Sequence, residues 1–206
     1  MSRFPAFLLV LTCCFTANTC TRIKTLMYEG FERDRWQMPR EVINELKLES
    51  GDIVADVGAG SGYFTLPLAG AVEPKGLVYA LDIDGAMLEK VEARAQERQY
   101  ENIKTVRVRG KSPGLPPIPF DLIFFCNTYH HLSERTEYFA DLRNHLKNDG
   151  RVVIVEFKPE GWQHALIGHA TDKATILEEM KTAGFRLERE SDILPRQNFL
   201  FFAAED

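Results

Sequence analysis

A chain of 206 residues has room for one domain with a sizeable core and not for two of ordinary size. With 45% hydrophobic and 27% charged residues and no low-complexity tract, it is not a disordered chain. A formal net charge of -5 leaves no basic excess to hold a phosphate backbone, so no nucleic-acid partner is expected.

The first twenty residues, MSRFPAFLLVLTCCFTANTC, stand apart from the rest: Arg3 precedes an apolar run from Phe4 to Phe15. That run is shorter than the roughly 20 residues needed to cross hydrocarbon, which suits a signal rather than a permanent span. The expectation is a signal or lipoprotein leader over 1–20, cut before Cys20, and one domain over 21–206. An envelope location would follow, periplasmic or membrane-anchored through that leader; a misassigned start and a cytoplasmic location are the alternative, since the usual Leu three places before Cys20 is missing. Cys13, Cys14 and Cys20 all lie in this segment, and Cys126 is the only cysteine of the body. One cysteine builds neither a disulfide framework nor a thiolate metal site, and no metal is expected.

Beyond the leader, PREVINELKLESGD predicts an amphipathic helix, with Val42, Ile43, Leu46 and Leu48 on one side and Gly51-Asp52 ending it. Short apolar runs then alternate with helical periodicity, the pattern of β-α-β units around a mostly parallel sheet. Strands are predicted at 53–57, 77–82, 103–108, 121–126, 151–157, 185–190 and 197–203, and helices near 62–72, 85–98, 134–147 and 172–183. Pro67 inside the helix after the first strand requires a kink or a late start. Ser133 is expected to cap the 134–147 helix and Asn148-Asp149-Gly150 to stop it. Asp84 and Asp172 suit helix N-caps. The last two strands are joined by a short polar link with Pro195, which suits a hairpin and makes the final strand antiparallel.

The stretch DIVADVGAGSGYFT carries the most chemistry. A strand ends at Asp56, and Gly58, Gly60, Ser61 and Gly62 form a turn into a helix, where free N–H groups and close backbone approach favour a ligand. The spacing is G-x-G-x-G, not the G-x-G-x-x-G of dinucleotide loops. The second strand ends at Asp82, twenty residues past Gly62, where nucleoside-binding sheets place an acid for ribose hydroxyls; an acid closing an apolar strand would otherwise be half-buried without a partner. A plain strand-to-helix turn, a non-catalytic nucleoside-binding domain and a nicotinamide-dependent oxidoreductase are the competing readings at this point.

VADVGAGSGYFT, VYALDIDGAMLEKV and FDLIFFCNTYHHLSERTEYFADLRNHLKNDGRVVIVEF, taken in order, resemble the successive motifs of class I S-adenosylmethionine-dependent methyltransferases, over roughly residues 36–203. The small-molecule members that include ubiquinone/menaquinone and arsenite methyltransferases are the nearest in pattern. The resemblance implies an α/β, doubly wound, Rossmann-like seven-stranded sheet with an antiparallel last strand in three α/β/α layers. It implies S-adenosyl-L-methionine as cofactor and a small-molecule acceptor. Asp56, Gly58, Gly60, Ser61 and Gly62 would wall the methionine and ribose portions, Asp82 would take the ribose hydroxyls, Ile83 and Met87 would pack on adenine or in the core, and Asn127 would lie by the methionine end. Arg109, Lys111 and Ser112 stand where many relatives carry an acid for the adenine amino group, a departure that moves this contact to other groups. The cysteines with which an arsenite methyltransferase binds arsenic are missing.

Methyl transfer needs alignment above all, and a base where the acceptor is a hydroxyl. Asn127-Thr128-Tyr129-His130-His131 follows the fourth strand at the carboxyl edge of the sheet, where open α/β sheets bind ligands. His130 is expected to be the base, with Tyr129 and His131 contacting substrate; the alternative is that a histidine packs under the next helix. The 161–171 segment, with Trp162, His164 and His169, is expected to fold over this edge as a partial lid. The oligomeric state is left open.

Overall fold

A computed structural model describes residues 33–110, 112–159 and 170–205. In chain order the elements are α1 (Arg33–Gln37), α2 (Pro39–Leu46), β1 (Ile53–Val57), α3 (Thr65–Val72), β2 (Leu77–Asp82), α4 (Gly85–Glu97), β3 (Ile103–Arg107) and β4 (Phe120–Cys126). A 3-10 turn at Tyr129–His131 leads to α5 (Arg135–Leu142), a second at Arg143–His145 to β5 (Leu146–Phe157), and α6 (Lys173–Thr182), β6 (Phe185–Glu190) and β7 (Gln197–Ala204) follow.

The seven strands form one sheet in the order β3-β2-β1-β4-β5-β7-β6. All neighbours are parallel except β7, which runs antiparallel between β5 and β6. The central strands are apolar on both faces, as a parallel sheet covered on both sides requires. Alternate residues divide the core. Val57, Leu81, Phe125, Ile154 and Phe202 pack with Phe139 and Leu142 of α5 and Ile176 and Met180 of α6. Val54, Val78, Phe124, Val153 and Phe201 pack with Leu46 of α2 and Leu68 and Val72 of α3. The three-layer doubly wound architecture read from the sequence is therefore the observed one. Strand order reverses between β1 and β4, so the crevice outside their carboxyl ends is the ligand position of such sheets.

Several local expectations are corrected. The helix after the glycine loop starts late, at Thr65, which places Pro67 in the first turn, where a missing N–H costs no helical hydrogen bond. The 134–147 helix ends at Leu142; its N-cap is Glu134, left-handed at φ 52°, with no side-chain cap from Ser133. Asn148-Asp149-Gly150 does not stop a helix but lies within β5. There Phe120 pairs with Leu146 and Leu122 with Arg151, so β5 carries extra residues that loop out of register. Asp84 and Asp172 do cap α4 and α6, accepting from Ala86 N and Thr175 N. Helix α1 was not anticipated.

The envelope location does not stand: among the described residues no helix is long and apolar enough to cross a membrane. The proposed leader, 1–20, and almost all of the proposed lid lie outside the described residues.

Candidate functional site

The chain leaves β1 at Val57 and must reverse toward α3 within a few residues. Gly58, Gly60 and Gly62 make this turn at φ 78°, 53° and 88°, values that a side chain with a Cβ adopts only under strain. Packing adds a second reason at two of them. A Cβ on Gly58 would lie 2.2 Å from Thr128 Oγ1, and one on Gly62 would lie 2.8 Å from Leu66 Cδ1. Gly58 N and Ala59 N donate to Leu81 O at 2.8 and 3.0 Å, which ties the loop to the end of β2. Ser61 is buried and accepts from Arg94 Nη1 of α4 through both its carbonyl and its hydroxyl.

Two acids frame this loop. Asp56 is buried and accepts from Thr65 Oγ1 at 2.6 Å. Burial pushes its pKa up to about 7, and Asp82 adds to this, while the Thr65 hydrogen bond and the Arg33 charge oppose it. Asp82 closes β2, as expected, but it does have partners. Its Oδ2 accepts from Gly60 N at 2.8 Å and its Oδ1 from Asp84 N at 2.8 Å. Each carboxylate oxygen keeps a lone pair for a further donor, so the side chain fixes the loop and can still receive hydroxyls.

Next to it, Ile83 is 72% exposed, an apolar surface that no described residue covers. Met87 is fully buried, so of the two residues proposed for adenine, Met87 belongs to the core. The end of β3 carries a residue the sequence reading passed over: the Arg107 guanidinium, 3.4 Å from the position of a Gly85 Cβ, donates from Nε to Ile83 O at 3.4 Å.

Across the switch point, β4 delivers Asn127 in a left-handed conformation at φ 55°. Its N–H donates to Val155 O, and its Oδ1 accepts from Gln197 Nε2 at 2.7 Å. Tyr129 does not line a pocket. It is fully buried, stacks on Phe139 at 5.4 Å and donates its hydroxyl to Glu179, which Arg135 also grips. Burial and Glu179 hold that hydroxyl far above the usual phenol range, so it does not titrate. Tyr129 is corrected from substrate contact to core residue.

The two histidines also differ from each other. The side chain of His130 is 3% exposed, and its Nδ1 lies 2.9 Å from the Glu156 carboxylate, which is itself fully buried. Glu156 further accepts from the backbone N–H groups of His130 and Phe157. A carboxylate facing Nδ1 selects the tautomer protonated there and leaves the lone pair on Nε2. His131 is exposed, and its ring centre stands 4.1 Å from that of His130. Glu156 was missed in the sequence, although it carries the same signal as Asp82: an acid ending an apolar strand, RVVIVE.

Helix α1 closes this edge. Arg33 lies over the Tyr63 ring at 3.7 Å, Asp34 accepts from Tyr63 Oη at 2.6 Å, Trp36 packs on Phe157 at 5.5 Å, and buried Gln37 donates to Cys126 Sγ. Burial pushes the Cys126 thiol far up, which removes it as a nucleophile. The glycine cradle, Asp82 with free lone pairs, and exposed Ile83 together fit a nucleoside with an amino-acid tail.

These features gather at the carboxyl-end crevice where β1 and β4 part, the ligand position of an open doubly wound sheet. A family model described as "Methyltransferase domain" matches residues 55–152. A demethylmenaquinone methyltransferase of Geobacillus sp. (strain WCH70) is 26% identical over 122 residues, 59% of this chain and 51% of that protein. A SAM-dependent methyltransferase structure from Aquifex aeolicus superimposes with a TM-score of 0.79 at 24% identity, over 88% of this chain and 96% of that one. The [4+2]-cyclase SpnF shares the fold at TM-score 0.68 and 14% identity, covering 85% and 84% of the two chains. The chain has the fold of the class I S-adenosylmethionine-dependent methyltransferases. It spans about half the length of the curated relatives it matches.

Proposed function

We propose that this chain transfers a methyl group from S-adenosyl-L-methionine to a small-molecule acceptor. One observation carries the reading. A three-glycine loop at positive φ is locked by Asp82 through Gly60 N, beside the exposed side chain of Ile83, at the switch point of the sheet. When bound, the cofactor would supply an electrophilic methyl on a sulfonium sulfur, with the thioether as the leaving group.

The chain's own residues then have four tasks. The backbone of 58–62 and Asp56 form the wall for the methionine and ribose portions, and Asp82 accepts from the ribose hydroxyls. Ile83 covers one face of adenine, with the Arg107 guanidinium at its edge. Asn127 borders the methionine end. His130 receives the acceptor's proton on Nε2, while Glu156 is the positioning residue that holds the imidazole and offsets its charge once protonated. The deep setting of this pair excludes bulk water, which strengthens the electrostatic contribution.

A second reading is favoured by the cyclase that shares the fold: the domain binds the cofactor without turning it over, or hosts another reaction. Calorimetric titration with S-adenosylmethionine, S-adenosylhomocysteine and NAD separates nucleoside classes. Mass spectrometry of metabolite extracts incubated with methyl-labelled cofactor separates transfer from binding. Binding of the first two ligands with no labelled product would favour the second reading, and preference for NAD would sink both.

A further inference from the structure

We propose that Arg107 sets the nucleobase tolerance of the cofactor site: its guanidinium donates to acceptors on the edge of the base, and the 6-amino group of adenine is not what the site selects. This rests on the methyltransferase reading above. Arg107 ends β3 as the register partner of Asp82, which ends β2, and Val108 N donates to Asp82 O at 2.9 Å. Arg107 therefore stands at the carboxyl edge of the sheet, beside the acid assigned to the ribose. Its guanidinium reaches the surface assigned to the base, since Nε donates to Ile83 O at 3.4 Å and Ile83 is the exposed apolar residue there. A Cβ on Gly85, the first residue of α4, would meet Cζ and Nη1 of the same group at 3.4 Å. Arg107 is exposed, and the Nε bond is the one hydrogen bond its side chain makes among the described residues. The donors on Nη1 and Nη2 remain for a ligand.

The 6-amino group of adenine is a donor, and the ring nitrogens beside it are acceptors. A guanidinium has donors only, so it pairs with a ring nitrogen and offers nothing to the amino hydrogens. Selecting that amino group would take a carboxylate or a carbonyl. Residues 102–120, which include β3 and the chain beyond it, contain no Asp or Glu. Asp82 is held by Gly60 N and Asp84 N and serves the ribose, and Asp84 caps α4 at Ala86 N. The start of α4 adds a partial positive charge at the place where the guanidinium lies. Helix and side chain together favour an electron-rich atom at position 6 over amino hydrogens. Hypoxanthine carries an oxygen there, next to N7, and so presents the same two acceptors that arginine grips on guanine.

S-adenosylhomocysteine and S-inosylhomocysteine test this, since they differ only in the amino group or oxygen at position 6. Each is titrated calorimetrically into the full-length chain. Wild type is expected to bind S-inosylhomocysteine at least as tightly as S-adenosylhomocysteine. Arg107→Glu replaces donors with acceptors and should move the ratio of the two affinities toward S-adenosylhomocysteine by at least about fivefold, the low end for one correctly paired base edge. Arg107→Met, which removes the donors without adding an acceptor, should move it in the same direction and decides the matter if Arg107→Glu does not fold. S-adenosylhomocysteine binding more than twofold tighter in wild type would overturn the proposal, as would a ratio that stays within twofold of wild type in the folded variants. Binding of neither ligand would strike the methyltransferase reading itself, and the proposal with it.

Discussion

Replacing Asp82 with Ala removes a side chain that the structure gives two separate tasks, and the two can be measured apart. In the free chain, Gly60 N and Asp84 N each lose a charged acceptor at 2.8 Å. A hydrogen bond to a charged group contributes about 1.5–3 kcal/mol, and the low end applies because Asp82 is only half-buried and water can replace it. About 3 kcal/mol of stability should go, which at roughly 2–4 °C per kcal/mol for a domain of this size lowers Tm by about 6–12 °C. Bound ligand adds the second loss. Ribose hydroxyls donating to the same carboxylate should be worth a further 1.5–3 kcal/mol or so, weakening S-adenosylhomocysteine by about 10–150-fold. Differential scanning calorimetry reads the first number and isothermal titration, at a temperature where the variant is folded, reads the second. A lowered Tm with a dissociation constant unchanged within twofold would refute the ribose role and leave Asp82 as a brace for the loop.

Three further outcomes follow from the geometry. The folded pKa of Asp56 is raised, so its proton is held more tightly in the folded chain; that contribution is complete below the unfolded value near 3.8 and is lost as pH rises through about 7. Asp56→Asn should therefore gain on wild type by up to the order of 4 kcal/mol between about pH 4 and pH 8, read from paired denaturation curves, and a pH-independent difference would contradict it. His130→Ala strands the buried Glu156 carboxylate and should cost about 3–5 kcal/mol of stability. If His130 is the base, the single-turnover rate should also fall about 10²–10⁴-fold at unchanged cofactor affinity, whereas a rate within threefold of wild type would make the pair structural. Tyr129→Phe removes only the hydroxyl bond to Glu179 and should cost about 1–2 kcal/mol in melts, with turnover unaffected; a large loss of turnover would return Tyr129 to the substrate site.

The sheet was legible because its strands are apolar runs bounded by glycine and acid, and both the count and the antiparallel ending follow from composition and loop length. The helix at 134–147 was overextended because Arg143 to Asp149 keeps helical periodicity while β4 recruits Leu146 as a strand partner, a tertiary choice that local pattern does not contain. Asp56, the glycines and Asp82 announce themselves as breaks in an apolar background. The acceptor side is harder, since Tyr129, His130 and His131 are adjacent in sequence and diverge only once the 3-10 turn sends one ring into the core, one to Glu156 and one to solvent. Gln37 and Gln197 carry no local signal; their meaning arises from sharing Cys126 and Asn127 across the fold.

The central claim is turnover, and the most direct measurement follows a labelled methyl group. The full-length chain is incubated with methyl-labelled S-adenosylmethionine and small-molecule extracts, and S-adenosylhomocysteine and labelled product are quantified together by mass spectrometry. The account predicts label in a small-molecule product, in equal amount to the S-adenosylhomocysteine released, and a strong loss of both in His130→Ala. Tight cofactor binding in the same samples with no labelled product across the extracts would contradict it.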